Sequence, residues 1–343
     1  MLKKIALEKI GDFINALMEK GKLFAPVKDN GGVNFREIRN AADVTLDFYN
    51  TVTSPKSLFF PQIEDMIKYR LEKEGPVAEP VSLEIKPQVV LGVRPCDVRS
   101  FEVMDYLFRD GGIVDPYWEE RRRNTTIIGY AFDSVDPVDF YNTFDIHAAD
   151  PRGSDIFMIK TDKQVFLKAI TNKGGELLGG IQVLADASAE DASLVDATIK
   201  KGPELKTRHL SLEGVDKKLE EIFDDPFWHK TSAACLSCGV CTFVCPTCHC
   251  FDICDETLFR EGKRCRTWDA CMFTNFTLEA SGHNPRTRVF QRLRQKVNHK
   301  FSYYVTKFGV TLCVGCGRCT RYCPVNIDIF SIIEGAKKVE GKK

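Results

Sequence analysis

Two copies of one cysteine motif constrain this chain more than any other feature of its sequence. The first copy is CLSCGVCTFVCP at residues 235–246, and the second is CVGCGRCTRYCP at residues 313–324. Both have the spacing C-x2-C-x2-C-x3-C-P, which is the bacterial ferredoxin run that binds iron–sulfur clusters through thiolates. Zinc is the main alternative, but zinc sites typically show paired C-x2-C knuckles and not a triple run. The sequence therefore predicts two [4Fe-4S] clusters.

The fourth cysteine of each run is expected to serve the cluster of the other run. This crossed ligation is the rule where two such runs share a domain. One cluster is then assigned to Cys235, Cys238, Cys241 and Cys323, and the other to Cys313, Cys316, Cys319 and Cys245. Crossed ligation holds two clusters close together, which suits electron transfer.

The remaining cysteines indicate a reducing compartment and leave a question open. Thirteen of the 14 cysteines lie between residues 235 and 323, and the N-terminus has Glu8, Lys9 and Asp12 where a signal peptide needs an apolar run. We therefore expect a cytoplasmic protein without a disulfide framework. Five cysteines lie between the two runs, and they could pack near the clusters, bind another metal or do thiol chemistry: Cys248, Cys250, Cys254, Cys265 and Cys271.

The two halves of the chain carry opposite net charge. Residues 226–343 contain 18 Lys and Arg against 9 Asp and Glu, which leaves 30 against 39 in residues 1–225. The basic excess can offset the negative charge of thiolate-ligated clusters. Nucleic-acid binding is disfavoured, because no recognised fold or aromatic stacking motif accompanies the basic residues.

The spacer between the runs, residues 246–312, is predicted to be helical. Asn284 and Pro285 form a typical helix start, and apolar residues then recur every fourth position up to residue 305. Basic residues share one flank of that helix, and we expect this flank to be solvated or to dock a partner: Arg288, Arg292, Lys296 and Lys300.

The N-terminal half has the pattern of a mixed α/β domain. Residues 2–21 have the spacing of an amphipathic helix, while residues 87–93, 125–129 and 154–160 resemble buried strands and residues 97–108 a helix. We predict an α+β protein with an α/β partner-docking domain at residues 1–225 and an α-helical two-cluster ferredoxin domain at 226–343. No stretch approaches eighteen uncharged apolar residues, so no membrane span is expected.

Several segments resemble one known family. They are CLSCGVCTFVCPTCHCFD at 235–252, WDAC at 268–271, GHNPR at 282–286, the second run, and SPKSLFFPQ, GVRPCD and YWEERR in the first half. These resemble the iron–sulfur subunit of anaerobic sulfite reductase, the beta subunit of cytoplasmic sulfhydrogenases, and the corresponding component of flavin oxidoreductases that feed heterodisulfide reductase-like complexes. The resemblance spans nearly the whole chain.

The resemblance implies a role between two partners. Such proteins pass electrons between a flavin- and NAD(P)-binding partner and a terminal reductase or hydrogenase subunit, and are not themselves catalytic. Many members hold a third cluster through the cysteine of the GVRPCD segment. Here that residue is Cys96, and no cysteine occurs from residue 97 to residue 234. We therefore expect no cluster there and a buried structural role for Cys96.

Two other functional classes remain as alternatives to an electron-transfer role. A cluster-assisted thiol or disulfide reductase would use the spacer cysteines Cys248, Cys250 or Cys271. A regulatory iron–sulfur sensor is disfavoured by the two complete ligand sets and by the absence of a DNA-binding motif.

Overall fold

The computed structural model describes residues 1–340, which form two β-sheets with helices packed around them. The strands are β1 (Leu2–Ala6), β2 (Lys22–Asp29), β3 (Gly32–Glu37), β4 (Ile63–Glu72), β5 (Gly75–Pro80), β6 (Gln88–Val93), β7 (Thr125–Tyr130), β8 (Ile156–Lys160), β9 (Gln164–Ala169), β10 (Ala185–Asp186), β11 (Phe251–Leu258) and β12 (Glu261–Trp268). The helices are α1 (Ile10–Glu19), α2 (Pro95–Phe108), α3 (Pro116–Asn124), α4 (Asn172–Gly179), α5 (Ala189–Lys201), α6 (Val215–Glu221), α7 (Phe227–Ser232), α8 (Val240–Phe243), α9 (Val289–Asn298), α10 (Tyr304–Phe308), α11 (Arg318–Arg321) and α12 (Ile329–Lys338).

An eight-stranded mixed sheet organises the N-terminal half, in the order β10-β1-β9-β8-β7-β6-β2-β3. Its centre is parallel, from β2 through β6 and β7 to β8, and its remaining pairs are antiparallel. Strand β6 is buried along its whole length, as expected for a parallel strand covered on both faces. The strands and the helix predicted in this region are present as β6, β7, β8 and α2, and the mixed α/β fold is confirmed.

The first residues of the chain differ from their prediction. Leu2–Ala6 form β1, which pairs with β9, and the helix begins only at Ile10. The apolar residues of α1, including Phe13 and Leu17, do pack into the main core. The pattern identified the helix but not the strand before it, because hydrogen bonding to a distant strand overrides local helical spacing.

A second, four-stranded sheet has the order β11-β12-β4-β5. Strands β4 and β5 come from the first half of the chain, whereas β11 and β12 form a hairpin within the spacer between the cysteine runs. The prediction of a wholly helical spacer is therefore wrong for residues 251–268. The domain boundary at residue 225 remains a prediction, and this sheet joins segments from both sides of it.

The long basic helix begins later than predicted. It starts at Val289 and runs through a π-helical turn at His299–Tyr303 into α10. The Asn284 side chain caps no helix; its Oδ1 accepts from the backbone N–H of Arg286 and from the hydroxyl of Thr277, which closes a loop. Within the described residues, no helix is long and apolar enough to cross a membrane.

Candidate metal centre

Each cysteine run forms a tight loop that leads into one short helix. In the first run, Ser237 and Gly239 have the positive φ angles 55° and 77°, and α8 follows directly. In the second run, Gly315 and Gly317 have φ angles of 67° and 68°, and α11 follows. A β-carbon on Gly315 would lie 2.5 Å from the backbone nitrogen of Tyr141, so this position requires glycine.

Cysteines of both runs lie around one cavity in the structure. Four of them line this cavity although one belongs to the second run: Cys235, Cys238, Cys241 and Cys323. Cys319 also reaches this cavity. Burial is the main cause of the raised thiol pKa values of Cys313, Cys316 and Cys319, and the Cys245 thiol is close enough to add to all three increases. The ligand assignment itself remains a prediction.

Burial raises the pKa of three thiols of the second group, Cys313, Cys316 and Cys319, whereas contact with Cys248 lowers the pKa of the fourth, Cys245. Burial raises the pKa of Cys313 to about 12 and that of Cys316 to about 11. Thiolates are the form that binds iron, so loading this site must release protons. The surrounding positive charge determines how readily that happens.

Positive charge is supplied by the basic flank of α9 and its π-helical extension, which is buried. Arg292, Lys296 and Lys300 are each at most 4% exposed. The Lys300 ammonium donates to Cys245 Sγ at 3.4 Å and to the Leu312 carbonyl at 2.8 Å. The expectation of a solvated or partner-docking flank is therefore wrong for these three residues. Only Arg288 of the predicted flank is exposed.

Lys296 and Lys56 extend this charge toward the cysteines of the spacer. Lys296 Nζ lies 3.6 Å from Cys248 Sγ and donates to the Cys241 carbonyl at 3.2 Å. Lys56 Nζ, from the first half of the chain, donates to the Cys248 carbonyl at 2.7 Å and lies 4.0 Å from the centre of the Trp268 ring. Burial lowers the pKa of Lys56 to about 8. Sequence patterns gave no signal for Lys56, because its partners lie far away along the chain.

The three buried lysines face cysteine residues and not carboxylates: Lys296 and Lys300 lie beside thiol sulfur atoms, and Lys56 lies beside the Cys248 carbonyl. Within residues 1–340, none of Lys56, Lys296 and Lys300 lies within ion-pair distance of an Asp or Glu. Burial opposes their charged form, but for Lys300 the thiols of Cys245 and Cys248 outweigh burial and raise the pKa above its ordinary value. An unpaired buried charge is costly. The site therefore fits an anionic, thiolate-ligated cofactor.

A buried ion pair connects the second cysteine run to the first half of the chain. Arg318, within that run, makes two hydrogen bonds to the Asp97 carboxylate at 2.6 and 2.7 Å. Its Nε donates to the Thr51 carbonyl at 2.8 Å. Cys96 precedes Asp97 and is 3% exposed beside Cys316, which confirms its predicted burial. A charged residue inside a cysteine loop was the only sequence signal for this pair.

The spacer cysteines are positioned by the β11–β12 hairpin. Cys254 and Cys265 lie directly opposite each other on the two strands. Cys250 and Cys271 flank the open end of the hairpin, and each thiol has the largest influence on the pKa of the other. This interaction lowers the pKa of Cys271 to about 6 and raises the pKa of Cys250.

The comparisons with known proteins agree with this site. The family described as "4Fe-4S dicluster domain" matches residues 234–327. This chain is an iron–sulfur protein. Over 344 aligned positions, covering 98% of each chain, it is 29% identical to the sulfhydrogenase 2 subunit beta of Pyrococcus furiosus. The predicted resemblance to this group of iron–sulfur subunits is confirmed. No solved structure matches the chain significantly.

Replacing Lys300 of this iron–sulfur protein with methionine should lower the reduction potential of the second cluster. A reduced cluster carries one more negative charge, which the nearby ammonium stabilises by a few kcal/mol at an effective dielectric constant near 20. We expect a decrease on the order of 100 mV, measured by redox titration with electron paramagnetic resonance.

The control for this substitution is Lys307→Met. Lys307 lies on α10, the continuation of the same helix, but its side chain is 56% exposed and pairs with Asp110. Its replacement should leave the potential nearly unchanged. Equal shifts in both variants, or an upward shift in Lys300→Met, would contradict a direct effect of the buried ammonium.

Proposed function

We propose that this chain is an electron-transfer subunit of an oxidoreductase complex. It relays electrons through two [4Fe-4S] clusters between a flavin- and NAD(P)-binding partner and a terminal reductase or hydrogenase subunit. Eight cysteines hold the clusters in two crossed sets, as the two runs predict. The similarity to a sulfhydrogenase beta subunit supports a place in such a complex.

The observation that carries this proposal is the set of buried lysines opposite the cysteine loops. Lys56, Lys296 and Lys300 would be strongly destabilising in a chain whose only nearby groups were neutral thiols. Thiolate-ligated clusters supply the missing negative charge. When bound, they accept and release single electrons, and the protein keeps them close together and tunes their potentials.

The proposed relay requires the two cluster sites to open to the surface in different places, and the exposure around the two cysteine runs supports this. Near the first site, Cys238 is exposed, and Leu236 in the same loop is 65% exposed. Near the second, Cys313 lines a groove of about 740 Å³ between α2 and the segment from Phe308 to Val314. We propose that the two partners exchange electrons with the chain at these two openings.

The competing proposal, a thiol or disulfide reductase, is less well supported. Cys248 and Cys271 are only 6% and 9% exposed, so a bulky disulfide substrate could not approach either sulfur directly. Cys250 is half-buried and in contact with Cys271. The arrangement favours an exchange inside the protein over attack on an external substrate.

The proposal is tested by iron analysis of the full chain purified without oxygen. We expect about eight irons per chain and, after reduction, two interacting cluster signals by electron paramagnetic resonance. The crossed ligand sets place the clusters near enough for this interaction. Four irons per chain, zinc in place of iron, or two signals without interaction would overturn the two-cluster relay.

A further inference from the structure

The open end of the β11–β12 hairpin places two cysteines side by side. Phe251 pairs with Trp268 at the last position of the ladder, and the backbone N–H of Asp269 donates to the Cys250 carbonyl at 3.0 Å. Cys250 therefore lies just before the start of β11, and Cys271 lies three positions after the end of β12. Both residues are at the same end of the hairpin. The backbone brings the two cysteines close together, and the neighbouring Cys271 thiol raises the pKa of Cys250.

This thiol pair lies against the first cluster site. Cys271 belongs to the same buried apolar cluster as Cys241, one of the ligands assigned to that site. The Lys296 ammonium interacts with the thiols of both residues. Electron transfer from the pair to the cluster therefore needs no movement of the chain.

We propose that Cys250 and Cys271 form a reversible dithiol–disulfide pair that exchanges electrons with the two clusters. This inference deepens the proposed relay function and rests on it. In the oxidising direction, the two S–H bonds break, one S–S bond forms, two protons leave, and each of the two clusters accepts one electron. In the other direction, the disulfide takes up two electrons and two protons, its S–S bond breaks and two S–H bonds form; the clusters would supply the electrons one at a time.

The number of electrons that the proposed partners transfer in one step explains what such a pair would do. Nicotinamide and flavin donors deliver electrons in pairs, whereas each cubane cluster accepts one at a time. A thiol pair stores two electrons at one place. Protein disulfides and [4Fe-4S] clusters have overlapping ranges of reduction potential, so exchange between them is feasible.

Cys254 and Cys265 provide an internal comparison on the same hairpin. They face each other across β11 and β12, but Cys254 lies three positions along the strand from the hairpin base at Phe251. At about 3.3 Å per residue, this pair lies on the order of 10 Å farther along the hairpin. The Cys265 thiol instead donates to the Asp65 carboxylate at 3.3 Å. Replacing Cys254 should therefore leave electron storage near the clusters intact.

The experiment is an anaerobic reductive titration of the oxidised full chain loaded with iron. The wild-type chain should take up about four electrons, two for the clusters and two for the disulfide. Cys271→Ser and Cys250→Ser should each take up about two, while Cys254→Ser should match the wild type. Alkylation and mass spectrometry should find a peptide linking Cys250 to Cys271 in the oxidised wild-type chain and free thiols after reduction.

Three outcomes would overturn the pair. One is an uptake of two electrons by the wild type; another is the absence of the linked peptide in the oxidised chain. The third is the loss of about four irons in both serine variants, which would assign these cysteines to a further cluster. Iron content and cluster signals of the wild type report on the relay independently, so failure of the pair and failure of the relay are distinguishable.

Discussion

Replacing Cys323 with alanine should remove the cluster held by the first cysteine run, although Cys323 belongs to the second. Its side chain shares a cavity with Cys235, Cys238 and Cys241, so its loss leaves that cluster with three ligands. We expect the iron content to fall from about eight to about four per chain. The remaining reduced cluster should lose the magnetic interaction with its neighbour.

The reciprocal variant makes this prediction specific. Cys245→Ala should remove the cluster of the second run and spare the first, because the Cys245 thiol lies near Cys313, Cys316 and Cys319. Cys254→Ala, in the hairpin, should keep all the iron. If each alanine variant instead lost the cluster of its own run, the crossed assignment would be wrong.

Replacing Asp97 with asparagine should destabilise the protein by about 3–5 kcal/mol. The change leaves the Arg318 guanidinium, which is 0% exposed, without its carboxylate partner deep in the interior. Arg318 lies between Cys316 and Cys319, so the second cluster should also lose iron faster. Denaturant unfolding without oxygen and the rate of iron release to a chelator measure the two effects.

An exposed ion pair supplies the control for this substitution. Asp255 and Arg264 pair on the hairpin at 2.8 Å with side chains 43% and 50% exposed. Asp255→Asn should leave the stability nearly unchanged, because solvent screens such pairs. A similarly small effect at Asp97 would show that the buried pair does not hold the two halves together.

The sequence predicted the parts of this protein whose signal is local. Strand β6 is a continuous apolar run, and α2 has apolar residues at helical spacing, so each was recognised from its own residues. The cysteine runs were recognised because their spacing reflects the geometry of one loop around one cofactor. The assignment of Cys323 to the cluster of the first run rests on the repetition of that motif and remains a prediction.

The parts that were missed depend on distant partners. Almost all side chains of strand β11 are exposed. The turn after it has Phe259 at φ 55° and contains no Gly, Pro or Asn at its tip. Neither feature is typical of a hairpin, which is stabilised here by pairing of β12 with β4. The burial of the basic flank was not predicted, because the sequence alone does not show whether a lysine is exposed or buried. Only the position of the thiols distinguishes the two cases.

The sheet shared by residues 63–80 and residues 251–268 has a consequence for biosynthesis. Strand β12 pairs with β4 along nearly its whole length, so a fragment beginning at residue 226 would present that edge unpaired and tend to aggregate. The loop bearing Cys248 and Cys250 leads directly into this hairpin and is also held by Lys56. We therefore expect iron loading to follow the folding of the N-terminal half, which would act as a scaffold for maturation of the clusters.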